Sequence, residues 1–202
     1  MAGKVAAATG WQLKASVAGP NTGGSTFTLG PINTVGADLI VVSSAGSNSS
    51  TLPIDNVTNV WNVILTGVVN LWYAWNAITS SAHTFTLNND YYSSGAVLAY
   101  SGSLKSSAPL DQHSAASANQ PGSITPTTSG QLIVAGACLQ SSNPPYTINQ
   151  GFTVETQKDY IAGVNFGVVA ADLIQGAAAA LNPTFLPSAS MSGSAIASFK
   201  HA

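Results

Sequence analysis

Gly36-Ala37-Asp38-Leu39-Ile40-Val41-Val42-Ser43-Ser44-Ala45 is the stretch that decides the fold. Four β-favouring apolar residues follow a Gly and an Asp, then give way to the turn formers Gly46-Ser47-Asn48-Ser49-Ser50. The run is too short and too β-branched for a lone helix, and it reads as a strand buried on both faces. Ser129-Gly130-Gln131-Leu132-Ile133-Val134-Ala135-Gly136-Ala137 echoes it and also ends in a polar turn, residues 140–145.

The echo extends outward. Residues 32–41 match 124–134 with one extra residue, which places Leu39 and Leu132 93 positions apart (132 − 39). Val69-Asn70-Leu71 resembles Val164-Asn165-Phe166 at 95 positions (164 − 69), and the run from Gly95 to Ala99 resembles that from Gly193 to Ala197 at 98 (193 − 95). Three matches in chain order predict two similar halves of several strands each. One half alone would leave a face of its strands bare, so the halves are expected to pack as the two sheets of one sandwich.

Strand signals recur between turn formers along the chain. Trp11, Leu13, Ala15 and Val17 alternate with polar residues, as do Phe27 and Leu29, Phe85 and Leu87, and Phe152 and Val154. Residues 57–65 predict a hairpin, 69–75 an aromatic strand, and 96–100 and 195–199 further strands. The apolar segment over 161–174 and the alanines beyond it suit strand better than helix, because Gly163, Gly167 and Gly176 interrupt it. Residues 103–121 lack apolar periodicity and read as a long connection. The expected fold is all-β: an antiparallel two-sheet β-sandwich, jelly-roll-like, with two pseudo-repeated halves. It forms one domain over residues 1–202, with halves at about 11–102 and 122–200.

Charge narrows the function classes. Of 202 residues only 6% are charged, against roughly 25% in an ordinary soluble domain. The five cations are scattered lysines and there is no Arg, so neither a phosphate-neutralising patch nor a basic membrane surface can form; nucleic acid and membrane are not expected partners. No run approaches the roughly 20 apolar residues of a bilayer span, and the apolar stretch after Lys4 is too short for a signal peptide. Cys138 is the lone cysteine and reads as a small buried hydrophobe.

Motifs for catalysis are missing. The sequence has no nucleophile elbow, phosphate-binding loop or dinucleotide fingerprint. His83, His113 and His201 never fall at metal-ligand spacing. Asp111-Gln112-His113 is the close acid–histidine arrangement and reads as solvated loop. A glycosidase would need two of the seven acids about 5–10 Å apart in a cleft, the obvious pairings being among Asp90, Asp111 and Asp159. Asn88-Asn89-Asp90 and Asp55-Asn56 read as turns before calcium sites. No catalytic residue, cofactor or metal ligand is therefore expected. Trp61, Trp72 and Trp75 read as core, whereas Tyr91, Tyr92 and Tyr146 follow turn formers and are the candidate surface or ligand contacts.

These residues together resemble β-sandwich domains of bacteriophage virion proteins and bacterial surface proteins. The resemblance rests on Gly36 to Val42, on Tyr73-Ala74-Trp75-Asn76, on Ala99-Tyr100-Ser101-Gly102 with Pro109-Leu110-Asp111, and on Ala195 to Lys200. It covers most of residues 25–200 and implies a structural or adhesive role without catalytic residues. The expected protein is a non-enzymatic capsid decoration or appendage subunit. Its partners would be its own copies and other capsid or tail proteins, in a virion assembled in the host cytoplasm. A carbohydrate-binding or adhesive module at the bacterial surface, taking host-surface glycans, is the alternative.

Overall fold

A computed structural model describes residues 10–20, 24–46, 51–88, 92–102 and 107–201. The protein is all-β. In the first half, strands β1 (Gln12–Pro20), β8 (Ser94–Ser101), β3 (Leu39–Ala45), β6 (Val69–Trp75) and β5 (Asn62–Leu65) lie side by side in that order. A smaller sheet of β2 (Thr26–Ile32), β7 (His83–Asn88) and β4 (Ile54–Asp55) covers its outer face. The second half repeats the plan with β9 (Leu110–Ala116), β15 (Met191–Phe199), β10 (Gln131–Leu139), β13 (Gly167–Gln175) and β12 (Thr153–Lys158), under a cover of β11 (Thr147–Ile148) and β14 (Phe185–Leu186). All pairings among these strands are antiparallel. In the first half the order 1-8-3-6-5 is covered by 2-7-4, an antiparallel sheet-on-sheet arrangement.

The two large sheets face each other, which explains why β3 and β10 are apolar on both faces. Leu39 and Val41 point into the core between the sheets, against Leu132, Val134, Val168 and Phe199. Their neighbours Ile40 and Val42 point outward into a second core with Phe27, Trp72, Phe85 and Leu87. Ile133 and Ala135 do the same in the second half, beneath Tyr146, Phe152 and Phe185. Each such side chain taken from water contributes about 1.5–3 kcal/mol. Cys138 sits in the central core, where burial pushes its thiol up. Trp61 and Trp72 are buried core residues and Trp75 packs partly buried against the core.

Bulges confirm that the halves are copies of one plan. Lys14 is extra where β1 passes Tyr100 and Ala99, as Asp111 is where β9 passes Phe199 and Ser198. Ile64 is extra opposite Trp72 and Leu71, as Glu155 is opposite Ala171 and Ala170. A bulge re-aims a strand, so its recurrence at corresponding places marks shared geometry rather than shared composition.

The register corrects part of the sequence echo. Leu39 pairs with Trp75 and Tyr100, while Leu132 pairs with Ile174 and Phe199. Trp75 and Tyr100 therefore correspond to Ile174 and Phe199, both 99 positions away (174 − 75, 199 − 100). The match at 98 set Leu98 against Ile196, yet Leu98 faces the central core and Ile196 the outer one; a slip of one residue changes face. The match at 95 fails because Val164, Asn165 and Phe166 precede β13. From the bulge to the residue that corresponds to Val69, the second half takes 13 positions (168 − 155) where the first takes 5 (69 − 64), so its hairpin is longer and the offset jumps there.

Two local expectations also change. Residues 57–61 are loop, and β5 forms its hairpin with β6 instead of within 57–65. Residues 110–116, read as part of the connection, are β9, an edge strand zipped to β15. It reads Leu-Asp-Gln-His-Ser-Ala-Ala, with one large apolar residue, so hydrophobic periodicity had little to reveal. The segment over 167–175 is strand, as expected.

Candidate functional site

The longer hairpin of the second half builds a recess. After Lys158 the chain turns through 159–166, closed by an Ile161–Asn165 bridge, with Val164 N donating to Ile161 O at 3.0 Å. Gly163 takes φ +71°, the left-handed region where a side chain would be strained. Asn165 is buried and its Nδ2 donates to Ser94 Oγ (3.0 Å) at the start of β8, to Asp159 O (3.0 Å) and to Phe166 O (2.8 Å). One amide thus pins the loop to the other half. Phe166 lies over Gly46, where an added Cβ would come within 2.5 Å of the ring. The resulting recess of about 210 Å³ is walled by Tyr92, Tyr160, Ile161, Val164 and Phe166.

Of the three tyrosines singled out from sequence, Tyr92 is at this recess and 53% exposed. Tyr91 lies outside the described residues. Tyr146 is not a surface contact: only 4% of it is exposed, and it belongs to the outer core of the second half. Its hydroxyl accepts from Asn143 N (3.0 Å) and donates to Ser141 O (3.3 Å), which locks the turn before β11. Position after a Pro-rich turn suggested exposure; the need to cover Ile133 and Leu139 decided otherwise.

The acids and histidines combine differently from their sequence spacing. His113 is exposed on β9. Asp111 is engaged by Lys200 Nζ (2.9 Å), Gln131 Nε2 (2.7 Å), Thr127 N (2.8 Å) and Thr127 Oγ1 (2.9 Å). Burial works against its charge, but these donors hold its carboxyl down at about 2. The close acid–histidine contact is instead His83 Nε2 to Asp55 Oδ2, 3.5 Å and fully buried, with Thr34 Oγ1 2.8 Å from His83 Nδ1. These residues come from β4, β7 and the loop after β2, so no spacing pattern displays them.

A hydroxyl, an imidazole and a carboxylate in line are the parts of a hydrolytic triad, yet this array holds loops together. Thr34 Oγ1 already receives Ser80 N (3.1 Å), and Asp55 receives Val57 N (3.1 Å), Asn59 N (3.0 Å) and Asn59 Nδ2 (2.8 Å). Thr34 and His83 are wholly buried. Burial pushes the imidazole down more than Asp55 pulls it up, so His83 is neutral at pH 7.

A second pair, Glu155 on β12 and Asp172 on β13, meets beneath Tyr100 of β8. Neither acid was among the suggested pairings; strand register and a bulge bring them together. Among the described residues no group of three His, Cys, Asp or Glu side chains is placed to hold a metal ion. No described helix is long and apolar enough to cross a membrane. No family model matches the chain, and no curated protein is similar to it.

Proposed function

We propose that the chain is a non-enzymatic structural subunit of a virus particle, a bacteriophage capsid decoration or appendage protein. It would stabilise the particle through contacts with its own copies and with other capsid or tail proteins. The observation that carries this reading is a set of apolar side chains presented outward on a rigid frame. Val60 is 80% exposed, Ile54 61% and Ile78 54%. Asn59 holds them together: its Oδ1 accepts from Ile78 N (2.7 Å), and its Nδ2 donates to Ile78 O (2.9 Å) and to Asp55. Apolar groups already fixed in place lose little entropy on docking, and a surface with few charges is cheap to desolvate.

Light scattering on the purified chain, and sedimentation with candidate particles, test this reading. Binding is expected to survive about 1 M salt, where the screening length is roughly 3 Å, and to weaken in Val60→Ser and Ile78→Ser. Release by moderate salt alone would count decisively against it.

Tyr92 above its aromatic recess supports a second reading, an adhesive module that stacks a sugar ring on the tyrosine face. Glycan-array binding lost in Tyr92→Ala would favour it. An empty array would remove it.

A further inference from the structure

Glu155, Asp172 and Tyr100 join the two halves at one edge of the sandwich. Asp172 stands opposite Thr153 of β12, and Glu155 is the bulged residue two positions on. Asp172 alternates with Ala170 and Val168, which face the central core, so its side chain is directed between the large sheets. Tyr100 reaches this place from the first half; it is 1% exposed, and its hydroxyl faces the acids without a partner at full hydrogen-bonding geometry. Ser16 Oγ of β1 donates to Glu155 O at 3.3 Å and ties the same edge.

The molecule contains its own control. Through the register, Tyr73 corresponds to Asp172, Ile64 to Glu155 and Phe199 to Tyr100. At that opposite edge Tyr73 and Phe199 meet edge to face, 5.7 Å between ring centres, with Ile64 in the same apolar cluster. The fold closes one seam with hydrocarbon and aromatic rings, so acids at the other seam are not demanded by packing.

We propose that Glu155, Asp172 and Tyr100 form a proton-held clamp between the halves. One proton shared by the two carboxyls keeps them together beneath the Tyr100 hydroxyl, and its loss sets two like charges against each other and loosens that seam. Burial raises both acids, and the Asp172 charge raises Glu155 further; the facing Tyr100 and Glu155 groups return Asp172 only part of the way. Burial and the same acids push the Tyr100 hydroxyl well up, so it stays a donor. The other charged groups described on the packed elements lie along the same edge or at strand ends. Lys14 of β1 lies over Gly36, Asp38 before β3 accepts from Gly102 N (3.1 Å), and Lys158 ends β12 beyond the bulge. His201 meets Trp11, which in turn meets Tyr100.

The sign follows from proton linkage. Acids raised in the folded state hold more protons folded than unfolded, so their contribution is present below the ordinary carboxylate range and fades as pH rises through the raised values. Urea unfolding between about pH 4 and pH 8 reads this directly. The wild-type unfolding constant is expected to rise with pH, by up to about tenfold per unit for each proton involved. Glu155→Gln and Asp172→Asn are expected to lose that slope and to equal or exceed wild type at the alkaline end. Carbon-13 carboxyl titration of the wild-type chain gives a readout that needs no variant, with both midpoints above the ordinary range. Amide exchange should increase with pH at β12 and β8 beyond the intrinsic rate change, and not at β5 and β15. Parallel pH profiles in wild type and both variants, ordinary titration midpoints, or equal loosening of the two seams would each overturn the clamp.

Discussion

The two halves solve the same packing problem with different chemistry. Both lay a five-stranded sheet against the central core and cap its outer face with a phenylalanine, Phe85 over β4 in one and Phe185 over β11 in the other, each fully buried. Beneath that cap the first half places His83 and Asp55, where the second places Leu181 and Ile148. The first half joins β5 to β6 by a tight turn; the second extends the same hairpin and anchors it across the junction through Asn165. Topology is thus set by strand order and bulges. The side chains that satisfy it are free to be polar or apolar.

Removing the caps tests that equivalence most severely. Phe85→Ala and Phe185→Ala each leave a cavity in a fully buried site and should cost about 3–5 kcal/mol in urea unfolding. If the halves are energetic equals the two losses will be similar; a loss confined to one cap would show that only one outer core supports the fold. Next is the His83 network. Asp55→Ala leaves Val57 N, Asn59 N and Asn59 Nδ2 without their acceptor, for about 3 kcal/mol. The double change Asp55→Ile with His83→Leu imports the second half's solution, and it should cost clearly less than the two single changes added together. Additive losses would mean the two residues do not act as a unit.

Smaller effects separate the junction from the edge strand. Gly46→Ala combines φ +86° with a Cβ driven into the Phe166 ring, so about 1–3 kcal/mol and faster amide exchange over 159–166 are expected. Asp111 provides the acid-side counterpart to the clamp. Its carboxyl is held from 3.8 down to about 2, so its contribution is present above the ordinary range and is lost as pH falls through about 2. Asp111→Asn should flatten that acid limb by about 1–2 kcal/mol. An unchanged limb would show that the donors around Asp111 bond a neutral group equally well.

Much of this architecture was legible in the chain. Leu39 to Val42 and Leu132 to Val134 announced strands covered on both faces, and the echo between them announced two halves. What escaped was information carried by register instead of composition. β9 is an edge strand whose one large apolar residue is Leu110, so periodicity was silent. The offset jump at 159–166 was hidden because Val-Asn occurs both at 69–70 and at 164–165. Sites were harder still: Thr34, Asp55 and His83 converge from three elements, and Glu155 and Asp172 are neighbours only through the register of β12 and β13. Tyr92 was visible as an aromatic after a turn, whereas the same cue failed for Tyr146, which a sheet needed as cover.

The gentlest prediction returns to the outward face of the first half. Val60 is the most exposed of the large apolar residues described, and Asn59 fixes its neighbours without its help. Val60→Ser should therefore change unfolding stability by no more than about 0.5 kcal/mol. Leu186 and Ile174, exposed on the second half, supply the comparison: serine at either should be as harmless to folding. If the Asn59 frame is the docking face, only Val60→Ser will weaken binding to a particle or to other copies. Equal weakening by all three would spread the contact over both halves, and no weakening by any would move it away from these three residues.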